Sequence, residues 1–213
     1  MHAIRTTVTI IYVTVVLIMK ISTKYTIMNA AKPLFAISGY EGFSMRTLAD
    51  ASGVGLSSIY HFFSDKDALL KDLFNAVNKE LGVKRSKLTA DDTASQMLYD
   101  RILFQFENIE DVIFVLKYYL HFRPDFLKLD SGYLPTKGYL HIEEVLEIGV
   151  ASGELATTPS GIASDAKVIA HAINGFLLEY YPNPPIGEEL HDVIKPIHLF
   201  LMRSLQAKEG NMK

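Results

Sequence analysis

From Thr23 onward the apolar and polar positions of the chain follow a helical period, and before it they do not. Ile27, Ala30, Ala31, Leu34 and Phe35 recur at steps of three and four, which puts them on one face of a first helix that Ser38-Gly39 brings to an end. Pro33 lies inside that pattern. Lacking an amide hydrogen and crowding the carbonyl four residues back, it predicts a kink near Asn29 or a late helix start. Gly39 to Phe43 reads as a turn, Ser44 as an N-cap, and Met45 to Ala51 as a short second helix with Leu48 and Ala49 inward, ended by Gly53. The stretch GVGLSSIYHFFSDKDALL over 53–70 then gives a tight glycine turn, one short helix, a Ser64-Asp65 cap and the start of a longer helix. In the short helix Leu56, Ser57 and Ser58 lead, Ile59, Phe62 and Phe63 supply the inward side, and Tyr60 and His61 carry polar tips to the flank.

The helical period continues to the C-terminal end. Asp72 to Leu88 extends the fourth helix; Thr93 to Phe106 and Asp111 to Phe122 follow, the latter broken by Pro124. Gly132 to Pro135 is a loop, Thr136 to Gly149 is amphipathic, and Gly153 stops it before a new start at Thr157-Thr158-Pro159-Ser160. Ile162, Ala166, Ile169, Ile173, Phe176 and Tyr180 recur at alternating steps of four and three, a helix-packing seam. After the Pro182-Asn183-Pro184-Pro185 break, Leu190, Val193, Ile194, Ile197, Phe200, Leu201 and Leu205 form another stripe, with Pro196 expected to bend it. No strand alternation intervenes, so the fold class is all-α with about nine helices.

Residues 8–19, VTIIYVTVVLIM, break the pattern with a continuous apolar, β-branched run. It is shorter than the ~20 residues a spanning helix needs and is followed by no small-residue cleavage site, which argues against a membrane span and leaves a secretory h-region as the alternative. The abrupt change of pattern suggests a further reading, that translation begins at Met19 and residues 1–18 are an upstream extension. The domain organisation expected is therefore 1–18 an atypical apolar extension, 19–70 one module and 71–213 a second.

Length and composition fit two units in one ordinary globular chain: 213 residues, 49% hydrophobic and 21% charged. With no cysteine, disulfides, thiolate zinc sites and cysteine nucleophiles are excluded, which fits a reducing cytoplasm. The net charge of -3 hides an asymmetry. Between Lys20 and Lys71 six basic residues stand against four acidic ones, so that window is +2 and the remainder -5.

Glycine turn, polar-leading short helix and capped following helix together make a helix-turn-helix, whose second helix must present small or polar residues to a major groove while its rear anchors it. The stretch from Lys24 to Leu73 resembles the TetR family of transcriptional regulators. The resemblance is carried by Phe35, Gly39, Thr47, Leu48, Ala49, Gly53, Val54, the run Ile59-Tyr60-His61-Phe62-Phe63, Lys66 and Leu69-Leu70. Two positions depart from the family pattern: Gly55 stands where a serine cap is usual, and Pro33 interrupts the first helix. The resemblance implies that Thr47, Tyr60 and Lys66 meet backbone phosphates and that Leu56, Ser57, Ser58 and His61 face bases. It also implies a helix-turn-helix DNA-binding domain of three helices followed by a helical effector-binding and dimerisation domain.

For the second domain the residues must speak alone. The aromatic stripe of Phe104, Phe106, Phe114, Tyr118, Tyr119 and Phe122, with Phe176, Tyr180 and Tyr181 later, is either core or the wall of a pocket for an apolar or aromatic effector, with Tyr118, His121 and Arg123 as polar groups. Phe104, Tyr118, His121, Phe122 and Phe176 are the effector candidates. Ile169, Ile173, Phe176, Tyr180, Ile197, Phe200 and Leu201 are candidates for a four-helix dimer interface, the alternative being intramolecular core. His141 and Glu144, three apart, are too few to hold a metal, and no metal or cofactor is expected. The function expected is a cytoplasmic, homodimeric, ligand-responsive regulator of double-stranded operator DNA, a repressor released by its effector. The alternatives are a helical enzyme, for which no nucleophile elbow, P-loop, dinucleotide fingerprint or paired-His motif speaks, and a membrane-associated or secreted interaction protein resting on residues 8–19.

Overall fold

The computed structural model describes residues 2–88, 93–128 and 139–205, with side chains from Met19 onward except those of 123–128, and of Thr14. The described residues form nine helices and no strand: α1 (His2–Gly42), α2 (Met45–Ser52), α3 (Leu56–Phe62), α4 (Lys66–Arg85), α5 (Ala94–Glu107), α6 (Ile109–Lys128), α7 (Leu140–Ser152), α8 (Ile162–Tyr180) and α9 (Gly187–Leu205). The chain divides into two compact units, 1–76 and 77–213.

In the first unit α1 packs on α2 and α2 on α3. Ile27, Ala31 and Phe35, the inward row of α1, are fully buried with Leu48, Ile59, Leu69 and Leu70. The ring of Phe43 meets that of Phe35 edge-on at 6.2 Å. Two expectations for α1 are corrected. Helix precedes Thr23, reaching back to His2, and it runs through Pro33 without a break near Asn29. The non-helical residue is Gly39, at φ 67 and ψ -172, a conformation essentially reserved for glycine. A proline removes one hydrogen bond of a long ladder, whereas a positive φ redirects the whole chain.

The second unit is held by α5, which packs on α7 and α9, and by α8, which packs on α7 with edges on α5 and α6. The first turn of α5 is tied doubly. Thr93 Oγ1 accepts from the Gln96 amide at 3.2 Å, and the Glu154 carboxylate accepts from the Ala94 and Ser95 amides at 2.7 and 2.8 Å. An anion on those orphan donors also answers the helix dipole. α6 continues past Pro124 to Lys128, so that proline does not end it, and α9 includes Pro196. The loop expected at Gly132 to Pro135 and the helix start at Thr136 lie outside the described residues; α7 is seen from Leu140.

Gly149 on α7 marks a close approach. A β-carbon there would lie 2.5 Å from the Leu155 side chain and 2.7 Å from Ala94 Cβ. Ala94 begins α5 and cannot yield, so Gly149→Ala is expected to lower the urea midpoint of unfolding. Overpacking of this kind costs about 1–3 kcal/mol, more than the ~1 kcal/mol that alanine gains over glycine in a helix. An unchanged midpoint would show that α5 and α7 do not meet so tightly.

Candidate nucleic-acid interface

The site begins with two caps. Ser44 Oγ accepts from the Thr47 amide at 3.0 Å and lies 2.7 Å from its hydroxyl, starting α2. α2 ends on Gly53 in the left-handed conformation. The turn delivers the chain to Gly55, which caps α3 with no side chain, and the Ile59 amide reaches back to its carbonyl at 3.1 Å. The departure from a serine cap thus leaves the helix start intact. α3 closes when Phe63 turns extended, its amide donating to Ile59 O at 2.9 Å. Ser64 and the Ala68 amide then donate to the Asp65 carboxylate at 3.0 and 2.8 Å. The hydrogen bond from the Ala68 amide, with that from the Ser64 hydroxyl, holds the Asp65 carboxyl below its usual range, and α4 begins capped.

α3 has two unlike sides. Ile59 is 0% and Phe63 2% exposed. Leu56, Ser57, Ser58, Tyr60 and His61 are all exposed, Tyr60 at 49%. Phe62, expected on the inward side, is half-buried and meets the His61 ring edge-on at 5.6 Å. Ile59 and Phe63 are four apart and share one face; Phe62 is rotated off it.

Thr47 is exposed on α2, next to the exposed Arg46, a cation not singled out from the sequence. Lys66 has a different setting. Its ammonium donates to the Tyr40 and Phe43 carbonyls at 3.0 and 3.3 Å and lies 3.7 Å from the centre of the Tyr40 ring. Tyr40 in turn donates its phenol proton to Asp67 at 2.5 Å; that bond, with burial and the Asp67 charge, pushes its pKa up to about 12. Lys66 is therefore a clamp between α1 and α4. Lys24 is engaged similarly, paired with Asp72 at 2.8 Å and lying over the Phe63 ring.

Residues 27–73 match the model of the family "Bacterial regulatory proteins, tetR family". That stretch holds every residue just described on α2 and α3. Those residues form a TetR-family DNA-binding module. Among relatives of this chain, YttP of Bacillus subtilis, named "Probable HTH-type transcriptional regulator", is 26% identical over 148 residues, covering 66% of this chain and 71% of that protein. The repressor AcnR of Corynebacterium diphtheriae is 30% identical over 76 residues, 36% of this chain and 38% of its own. A TetR-family regulator from Agrobacterium tumefaciens superposes with a TM-score of 0.65 at 19% identity, over 88% of this chain and 100% of that one, which shows the fold. The chain is a DNA-binding transcriptional regulator, and its relatives are regulators and not enzymes. No helix among the described residues is long and apolar enough to cross a membrane.

In the second unit the expected effector residues separate. Phe104 and Tyr118 are buried, Phe122 half-buried, His121 exposed and Phe176 38% exposed. The Phe122 ring meets that of Tyr118 at a tilt at 4.5 Å and that of His121 edge-on at 4.7 Å; the side chain of Arg123 lies outside the described residues. A cavity of about 30 Å³ is lined by Arg85, Arg101, Phe104, Gln105, His141 and Ile142. Phe104 is the one effector candidate on its wall. Arg85, Arg101 and His141 are not among the effector candidates read from the sequence, since they come from α4, α5 and α7 and no spacing links them. Burial, with the charges of Arg85 and Arg101, lowers the His141 pKa to about 4. Its imidazole is neutral and accepts at Nε2 from Arg85 Nη1 at 3.0 Å.

The dimer candidates also divide. Ile169, Ile173, Ile197 and Leu201 are buried within the protomer, in its own core. Tyr180 is half-buried with its ring 5.9 Å from that of Phe106. Phe176 and Phe200 face outward, Phe200 at 70%, as do Val168 and Leu199 at 66% and 49%.

Proposed function

We propose that the chain acts as a homodimeric repressor whose two α3 helices lie in successive major grooves of operator DNA. The observation that carries this is the division of α3: five exposed side chains in front, Ile59 and Phe63 sealed behind. A short helix held only by its rear leaves base edges open to Leu56, Ser57, Ser58 and His61, and phosphates to the Tyr60 hydroxyl and to Thr47. Arg46 adds the charge for phosphate contact that Lys66 already commits to Tyr40 and Phe43. Family members typically bind operator DNA as dimers and answer to small molecules. One α3 reads only a few base pairs, and paired half-sites about 34–36 Å apart supply the rest. The dimer face is supported by the outward apolar residues Val168 and Phe176 of α8 and Leu199 and Phe200 of α9. An effector held in the second unit would favour a conformation in which the two reading helices no longer match that spacing, releasing repression. As a regulator acting on DNA, the protein would work in the cytoplasm.

Fluorescence anisotropy on a mixed-sequence duplex across a salt series tests this. Affinity is expected to fall steeply with salt as counterions are released, and Arg46→Ala should flatten the log–log slope by about one. Binding that is absent, or indifferent to salt, would overturn the reading.

A further inference from the structure

The cavity on α4, α5 and α7 has an unusual balance of charge. Arg101 is 7% exposed, yet the ion pair recorded for it among the described residues is with Glu144 at 3.6 Å, and the Glu144 side chain is 53% exposed. Arg85 is turned to two neutral groups, the His141 ring at 3.0 Å and the face of Phe104 at 5.5 Å. Arg85 and Arg101 stand near enough for each charge to weigh on the other, and burial together with Arg101 lowers the Arg85 pKa. Of these two guanidiniums, Arg101 is buried and Arg85 half-buried, and the carboxylate paired with Arg101 stands in solvent. A buried charge is costly unless paired and hydrogen-bonded, and arginine forks match the two oxygens of a carboxylate or phosphate.

We propose that this cavity is the seat of an oxyanion, the carboxylate or phosphate head group of the effector, with Arg101 and Arg85 as its cationic donors and Glu144 as the internal counter-ion it displaces. The volume agrees with a head group alone. At about 30 Å³ the floor holds more than one water, which needs some 10–15 Å³, and far less than a drug-sized ligand, whose pockets begin near 300 Å³. The rest of the molecule must extend outward, where the cavity opens to solvent. Phe104 and Ile142 on the wall suit an apolar stem. His141 stays neutral and adds no competing proton chemistry near neutral pH, and an arriving anion meets a net positive site. This inference rests on the reading of the second unit as effector-binding, and it changes the expected effector from merely apolar or aromatic to anionic.

The test is isothermal titration of the full-length protein without DNA, in low-chloride buffer, with inorganic phosphate, octanoate and octan-1-ol as probes. At least one anion is expected to bind saturably, once per protomer, and octan-1-ol not at all. Preference for phosphate points to a phosphorylated effector and preference for octanoate to a carboxylic acid. Arg101→Met and Arg85→Gln should each weaken binding ten-fold or more. Glu144→Gln should tighten it several-fold, a gain that misfolding cannot imitate. The proposal is overturned if neither anion binds wild type and Glu144→Gln, if octan-1-ol binds as well as octanoate, or if folded Arg101→Met and Arg85→Gln bind as wild type does. DNA binding, read separately by the salt series, would stand or fall independently of these results.

Discussion

Ser58→Glu is expected to reduce affinity for duplex DNA by two orders of magnitude or more while leaving the melting temperature unchanged or slightly raised. Ser58 is exposed in the first turn of a helix whose N-cap, Gly55, offers no side chain. A carboxylate there sits at the positive end of the helix dipole and stabilises α3 by up to about 1 kcal/mol. The same charge brought against phosphates is a like-charge contact, which costs several kcal/mol. The two effects have opposite sign, so a variant that is better folded yet blind to DNA locates the binding face without ambiguity. Full affinity in Ser58→Glu would move the reading face off α3.

Phe35→Ala is expected to lower stability by about 3–5 kcal/mol, the usual result of emptying a buried phenylalanine site. In a chain of this size that is on the order of 10 °C in Tm. Phe35 is 0% exposed and packs edge-on to Phe43, in the core that also contains Ile59, the anchor of α3. DNA binding should be lost at temperatures where the wild type still binds. Phe35→Leu, which restores most of the volume, should recover the larger part of both. Thermal melts by circular dichroism decide it; an Ala variant melting with the wild type would mean that α1 does not close the module.

The α3 face was legible in the sequence because a seven-residue helix with polar leaders and an apolar rear leaves few choices. Ile59 and Phe63 follow from four-residue spacing, whereas Phe62 was drawn inward by its chemistry and the helix geometry turns it aside. Prolines were over-read: α1 passes Pro33 and α6 passes Pro124, since a long packed helix tolerates one missing hydrogen bond, and the actual break falls on Gly39. Lys66 could be placed in the first turn of α4, but where a flexible four-carbon stem takes its charge depends on Tyr40 and Phe43, more than twenty residues back. Periodicity also finds the face a helix buries in its own protomer, which is why Ile169, Ile173, Ile197 and Leu201 stood out. Of the outward residues, Phe176 and Phe200 lie in the rows the sequence shows, whereas Val168 and Leu199 belong to no repeating row. The cluster of Arg85, Arg101 and His141 left no trace in spacing, because three helices assemble it.

The absence of cysteine makes the central claim directly measurable. A single cysteine introduced as Ser58→Cys and labelled with an azidophenacyl photocrosslinker, beside a control label at Lys167→Cys on exposed α8 surface, reports which surface touches a duplex. The α3 label is expected to crosslink to bases in the major groove in a salt-sensitive manner, and the α8 label to give no DNA adduct. Adducts from α8 with none from α3 would contradict the account.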